Sequence, residues 1–157
     1  YHFYEAAQLR DVNKKEAIKM FKKYLKLKNN YDLEQIVGTY CELAKLEQSK
    51  LRYWLNKAIE VSQTRREPYV MLASEELKDG NWQEAYDLIT KALTITKKHL
   101  GLTTGEFAWG YLPYNILWIA RHNLNNPDDI RELPSSAAIC QNFDLYGEAA
   151  QHKQDML

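Results

Sequence analysis

The chain has 157 residues, 45% of them hydrophobic and 27% charged, and its 21 basic and 21 acidic side chains cancel. That is the balance of an ordinary globular domain, with no global field pointing to nucleic acid. No apolar run reaches the ~18 residues of a membrane span, and Cys41 and Cys140 are too few for a disulfide scaffold or a zinc site.

With six Gly and four Pro, the composition favours long helices over many-turned β structure. The two cysteines read as reduced core thiols of a cytoplasmic protein. No signal segment or initiator Met precedes Tyr1, which already lies in a helical pattern, so the chain reads as part of a longer protein.

The first unit spans residues 1–30. Phe3, Ala6 and Ala7 share one helical face, and Asn13 is placed to cap a second helix with Ala17, Phe21 and Tyr24 as its inner stripe. The opposite face carries Lys15, Lys19, Lys22 and Lys26. Such a row reads as a solvated outer face, or as a dock for an acidic partner or an anionic membrane surface.

The second unit spans residues 31–66. Ile36, Val37, Tyr40, Cys41 and Ala44 line its first helix. Ser49 is placed to cap a second helix with Leu51, Leu55 and Ala58 inside.

The third unit spans residues 67–98. Pro68 suits a first helical turn, and Gly80 suits a left-handed position after the first helix. Asn81 and Glu84 have capping-box spacing for the second helix.

The apolar positions recur at one period. Phe3 and Val37, Ala7 and Cys41, Ala17 and Leu51, Phe21 and Leu55, and Tyr24 and Ala58 are each 34 residues apart. So are Leu51 and Ala85, Leu55 and Ile89, and Ala58 and Ala92. A fixed period carried by core positions over three units predicts a repeat of helix pairs.

Residues 99–157 break the pattern within the same domain. Residues 99–105 read as a loop, 105–111 as a short helical turn and 112–124 as a helix. After the turn at Asn125–Asp129, and with Pro134 interrupting, a last helix starts near Ser135 or Ser136. Its stripe is Ile139, Phe143, Tyr146 and Ala150, and it serves as an irregular cap.

No catalytic constellation, cofactor fingerprint or metal spacing is present. The four histidines are scattered, and no G-x-S-x-G, Gly-rich phosphate loop or H-E-x-x-H occurs. The expectation is a chain with no enzyme activity of its own and no cofactor, whose partner is a protein, a peptide or a catalytic domain of the same polypeptide. Oligomers are compatible with this reading. Glu67, Val70, Ser74, Leu77 and Lys78 are expected to border a concave groove formed by the first helices. Phe107, Trp109, Tyr111, Tyr114 and Trp118 form an aromatic group that reads either as core or as a docking patch.

Two resemblances follow. Tyr69, Leu72, Ala73 and Glu76, then Ala85, Ile89 and Ala92, stand at the offsets of the tetratricopeptide repeat (TPR), a 34-residue helix pair. The resemblance covers about residues 1–98 and implies an all-α, TPR-like superhelix, here with an irregular C-terminal helix pair. The second is narrower. Arg65, Arg66, Glu67, Pro68 and Tyr69, then Lys91, Ala92, Leu93 and Ile95, then Trp109, Gly110, Pro113 and Tyr114 resemble the helical region that follows the catalytic domain in some bacterial and phage family-2 glycosyltransferases. Asn115 stands where that family carries Asp. The resemblance implies a scaffold attached to a glycosyltransferase, whose metal and sugar-nucleotide residues would lie outside this chain. The alternative is a stand-alone adaptor holding a peptide in its groove.

Overall fold

A computed structural model describes residues 2–27, 32–99 and 105–124. These residues form seven α-helices and no strand: α1 (His2–Leu9), α2 (Lys14–Leu25), α3 (Leu33–Leu46), α4 (Leu51–Val61), α5 (Arg66–Lys78), α6 (Trp82–Thr94) and α7 (Leu112–Leu124). Short 3₁₀ turns at Gln48–Lys50 and Glu106–Ala108 lie before α4 and α7. The helix expected from Ser135 or Ser136, the turn at Asn125–Asp129 and Cys140 lie outside the described residues.

Each helix packs chiefly on its chain neighbour: α1 on α2, α3 on α4, α5 on α6, with α7 against both α6 and α5. Connections of a few residues leave helices little choice but to fold back antiparallel. The core runs between these layers. Phe3, Ala6, Ala17, Phe21 and Tyr24 join Leu43 and Leu46 from α3. Val37, Cys41, Ala44, Leu51, Leu55 and Ala58 receive Leu72 from α5. Tyr69, Val70, Ala73, Ile89 and Ala92 pack with Ala108, Trp109 and Ile116.

Phe21, Leu55 and Ile89, spaced 34 apart, are each fully buried in α2, α4 and α6. Burying each side chain contributes about 1.5–3 kcal/mol. Of the recurring positions, all but the half-buried Ala7 are buried.

Several helix ends follow from local chemistry. Asn13 Oδ1 accepts from Glu16 N at 3.2 Å and opens α2, and Asp32 Oδ1 accepts from Gln35 N at 3.2 Å and opens α3. α5 stops in a Schellman turn: Asn81 N donates to Glu76 O at 2.9 Å and Gly80 N to Leu77 O at 3.1 Å. Gly80 takes φ +76° there, a left-handed backbone that side chains disfavour.

Two expected caps are replaced. Ser49 sits inside the 3₁₀ turn that feeds α4, and no side chain caps that helix. Asn81 does precede α6, but its side chain does not cap it. Its Nδ2 instead donates to Glu76 Oε2 at 2.6 Å, because the Schellman turn brings it back onto α5.

Polar links tie successive layers. Glu47, at the end of α3, accepts from Lys22 Nζ at 2.8 Å and from Trp54 Nε1 at 2.9 Å. Arg52 of α4 donates to Glu76 at 2.8 Å and also to Asp79.

Candidate functional site

The site is built by α1, α3 and α5. On α3, Gly38, Cys41, Glu42 and Lys45 follow at +3, +4 and +7 and so share a face. Gly38 has no side chain, which lets the surface sink to the helix backbone. On α5 the matching row is Glu67 and Met71. With Phe3, Tyr4 and Ala7 of α1, Arg10, Gly105 and Phe107, these residues enclose a cleft of about 300 Å³. Phe3, Tyr4 and Phe107 give the cleft aromatic walls, and Tyr4 is exposed.

Charge is distributed around this apolar interior in pairs. Arg10 Nη1 donates to Glu42 Oε2 at 3.1 Å, and Lys45 Nζ donates to Glu42 Oε1 at 2.8 Å. Within each pair a guest group could exchange for the existing partner. The Cys41 thiol lies in the wall. Burial, with the nearby Glu67 charge adding to it, pushes its pKa up to about 12, so it is protonated at neutral pH and a poor nucleophile.

Behind the cleft lies a buried ionic cluster. Arg65 and Glu67 have side chains only 2% and 4% exposed, and Arg65 Nε donates to Glu67 Oε2 at 3.0 Å. Arg65 Nη1 reaches Glu34 on α3. His99 Nδ1 lies 3.6 Å from the other Glu34 oxygen. Burial opposes the Arg65 charge, but the Glu67 and Glu34 partners outweigh it and raise the pKa. Glu67 Oε1 accepts from Gly105 N at 3.1 Å and lies 3.5 Å from Trp109 Nε1. Arg66 Nε donates to Ile95 O at 2.6 Å, while its guanidinium sits 4.2 Å over the Trp109 ring. One short stretch at the start of α5 thus clamps α3, the end of α6 and the 3₁₀ turn before α7.

The expected groove residues divide. Glu67 lines the cleft. Ser74 is half-buried, and Lys78 is exposed and paired with Glu75 at 3.0 Å. Val70 does not face a groove: it is fully buried, and Leu77 packs beside the same core. The reason is geometric. Residues 70, 73 and 77 face α6 and α7, whereas 67, 71, 74 and 78 form the next row round the helix. Met71 occupies the expected place of Val70.

The aromatic group also divides. Phe107 walls the cleft, and Trp109 is buried beneath Arg66. Trp118 stacks on His122 with centroids 5.3 Å apart, Tyr114 is half-buried and Tyr111 is exposed.

The lysine row is as exposed as its periodicity predicts at Lys15, Lys19 and Lys26, while Lys22 is half-buried against Trp54 and Glu47. Sequence reasoning passed over Tyr4, Arg10, Glu42 and Met71. The spacing of 38, 41, 42 and 45 on one face was a signal that could have found part of this set.

Among the described residues, no group of three or more His, Cys, Asp or Glu side chains is placed to hold a metal ion. No helix among them is long and apolar enough to cross a membrane. Comparison with protein-family models, curated proteins and solved structures finds no match.

Proposed function

We propose that this chain is a non-catalytic, TPR-like scaffold whose cleft seats a peptide or a segment of a neighbouring domain. The carrying observation is the cleft itself: a partly apolar concavity of about 300 Å³ formed jointly by the first helix of each pair. Such a surface buries an aromatic or aliphatic anchor between Tyr4, Met71 and Phe107. Arg10, Glu42 and Lys45 offer polar groups to the adjoining backbone. Burial of the positions recurring every 34 residues supports the repeat reading.

The test is selection of binders from a displayed peptide library on the purified chain, with counter-selection on Met71→Glu and Tyr4→Asp variants that retain their helicity. Peptides that bind the parent and not the variants support the proposal. A library yielding only variant-insensitive peptides refutes it.

A second reading has its own observation. The segments that resemble the glycosyltransferase-associated helical region, Arg65–Glu67 and Trp109, meet in three dimensions: Arg66 covers Trp109 and Glu67 reaches Gly105. Motifs that touch are motifs that would be kept together. On this reading the cleft docks on, or orients a substrate for, a catalytic domain of the same polypeptide. Sequencing the coding region upstream of Tyr1 decides it: a domain with a D-x-D motif supports the reading, and a start codon just upstream of Tyr1 refutes it. The stand-alone adaptor then remains.

A further inference from the structure

The lysine face of α2 is not accounted for by the cleft. Residues 14–26 hold six lysines and one acid, Glu16, so this stretch carries +5 while the rest of a neutral chain carries −5. Lys14 and Lys15 stand in the first turn, where the helix dipole disfavours cations. Lys15 and Lys19, and Lys22 and Lys26, are like charges four apart and repel. Lys22 and Lys23 in the last turn suit the dipole, whereas Lys14, Lys15 and the two like-charge pairs add nothing to the stability of the helix.

Lys15, Ile18, Lys19, Lys22, Lys23 and Lys26 line a shallow depression of about 470 Å³ on the outer side of α2. Lys22 is engaged by Glu47 at 2.8 Å and Lys19 lies loosely against Glu16 at 3.6 Å. No ion pair engages Lys15, Lys23 or Lys26 among the described residues. Exposed apolar side chains bracket the helix: Val12 at its start is 84% exposed and Leu27 just past its end is 42% exposed.

We propose that α2 is a peripheral docking surface for an anionic lipid bilayer. Its lysines would rest on acidic headgroups, while Val12 and Leu27 would enter the interface. The residue types favour this partner. Arginine, whose planar fork suits bidentate recognition of one phosphate, is absent from the helix. Lysine supplies mobile point charges suited to a diffuse anionic plane. Lysine stems can lie along the helix with their ammonium groups at headgroup level. No aromatic side chain lines the depression, so bases have no platform there. The twelve-residue helix presents its row over about 18 Å, enough to span several headgroups.

The experiment is flotation of the purified chain with vesicles of phosphatidylcholine alone and of phosphatidylcholine mixed with phosphatidylserine. Binding to the mixed vesicles only, lost in concentrated salt, is expected. Each lysine near such a surface is worth about fivefold in partitioning, so Lys15→Gln/Lys19→Gln/Lys23→Gln lowers it by about a hundredfold. These side chains are exposed, and circular dichroism checks that the variant folds. Val12→Ser/Leu27→Ser, which changes no charge, is expected to weaken vesicle binding and leave retention on immobilised heparin unchanged. No binding to phosphatidylserine vesicles, or binding that the triple variant retains, overturns the proposal. So does an effect of the lysines on heparin or soluble polyglutamate alone, which would assign the face to an acidic macromolecule.

Discussion

Glu67→Ala tests the buried ionic cluster directly. The carboxylate is 4% exposed and faces the Arg65 guanidinium, which is 2% exposed. Removing it leaves Arg65 Nε without that acceptor, and the Gly105 N–H at 3.1 Å loses its own. Taking one partner from a buried ion pair costs about 3–5 kcal/mol, because the remaining charge stays desolvated. Glu34 still contacts Arg65 from α3 and offsets part of this, whereas the orphaned Gly105 amide adds to it. The expected loss is therefore about 3–5 kcal/mol, a large share of a typical stability of ~5–15 kcal/mol. For a chain of this size, that corresponds to a fall of roughly 6–20 °C in Tm.

Urea unfolding followed by circular dichroism and by Trp fluorescence measures it, the latter because Trp109 lies in the same cluster. Arg65→Met/Glu67→Leu should recover much of the loss, since no charge is then left buried. Lys78 is the control. Its side chain is 67% exposed and pairs with Glu75, 22% exposed, at 3.0 Å, so Lys78→Met should cost no more than about 1 kcal/mol. A Glu67→Ala loss below about 1 kcal/mol, or a double variant no better than Glu67→Ala, would refute the argument that burial sets the magnitude.

Gly105→Ala drives a methyl group into the Phe107 ring and to 3.2 Å from the Glu67 side chain, so the ring must shift. A loss of about 1–3 kcal/mol is expected, together with changed affinity for cleft-selected peptides; unchanged values of both count against the geometry. Acid should weaken the fold by a predictable route. Arg52 hydrogen bonding holds Glu76 below the usual carboxylate range; burial pushes Glu47 up, but Lys22 and Trp54 outweigh it and hold it low too. A depressed carboxylate adds stability above its unfolded pKa that is lost as pH falls through the folded value, so denaturation midpoints should drop between about pH 5 and pH 3. Glu47→Gln/Glu76→Gln should flatten that limb. In a Cys140→Ser background, Cys41 should resist a disulfide reagent at pH 8 and react quickly in denaturant, because its thiol is buried and pushed up to about 12. Fast reaction of the folded chain would show an open wall.

What the sequence made legible here is what one helix at a time can encode. The inner stripes of α2, α4 and α6 follow from spacing alone, and Phe21, Leu55 and Ile89 are buried as that spacing predicts. The Asn13 cap and the left-handed Gly80 were likewise local and readable. The cap at Ser49 was misplaced because that residue lies inside the 3₁₀ turn before α4, and the cap at Asn81 because a competing partner takes its side chain. Glu76, five residues back, takes the Asn81 side chain, and its own orientation depends on Arg52 from α4.

The site was harder to read for a related reason. Whether Val70 or Met71 faces a groove depends on which side of α5 receives α7, and no periodicity within α5 states that. The same packing buries Arg65. An arginine at a helix start reads as solvent-exposed until Glu67 and Glu34 converge on it from two helices. Arg66 and Trp109, 43 residues apart by subtraction, are set face to face by this arrangement. A motif that looked like two separate flanks of a repeat is one clamp. It holds Phe107 and Gly105 against Glu67, and thereby fixes one wall of the cleft that the proposed partner would enter.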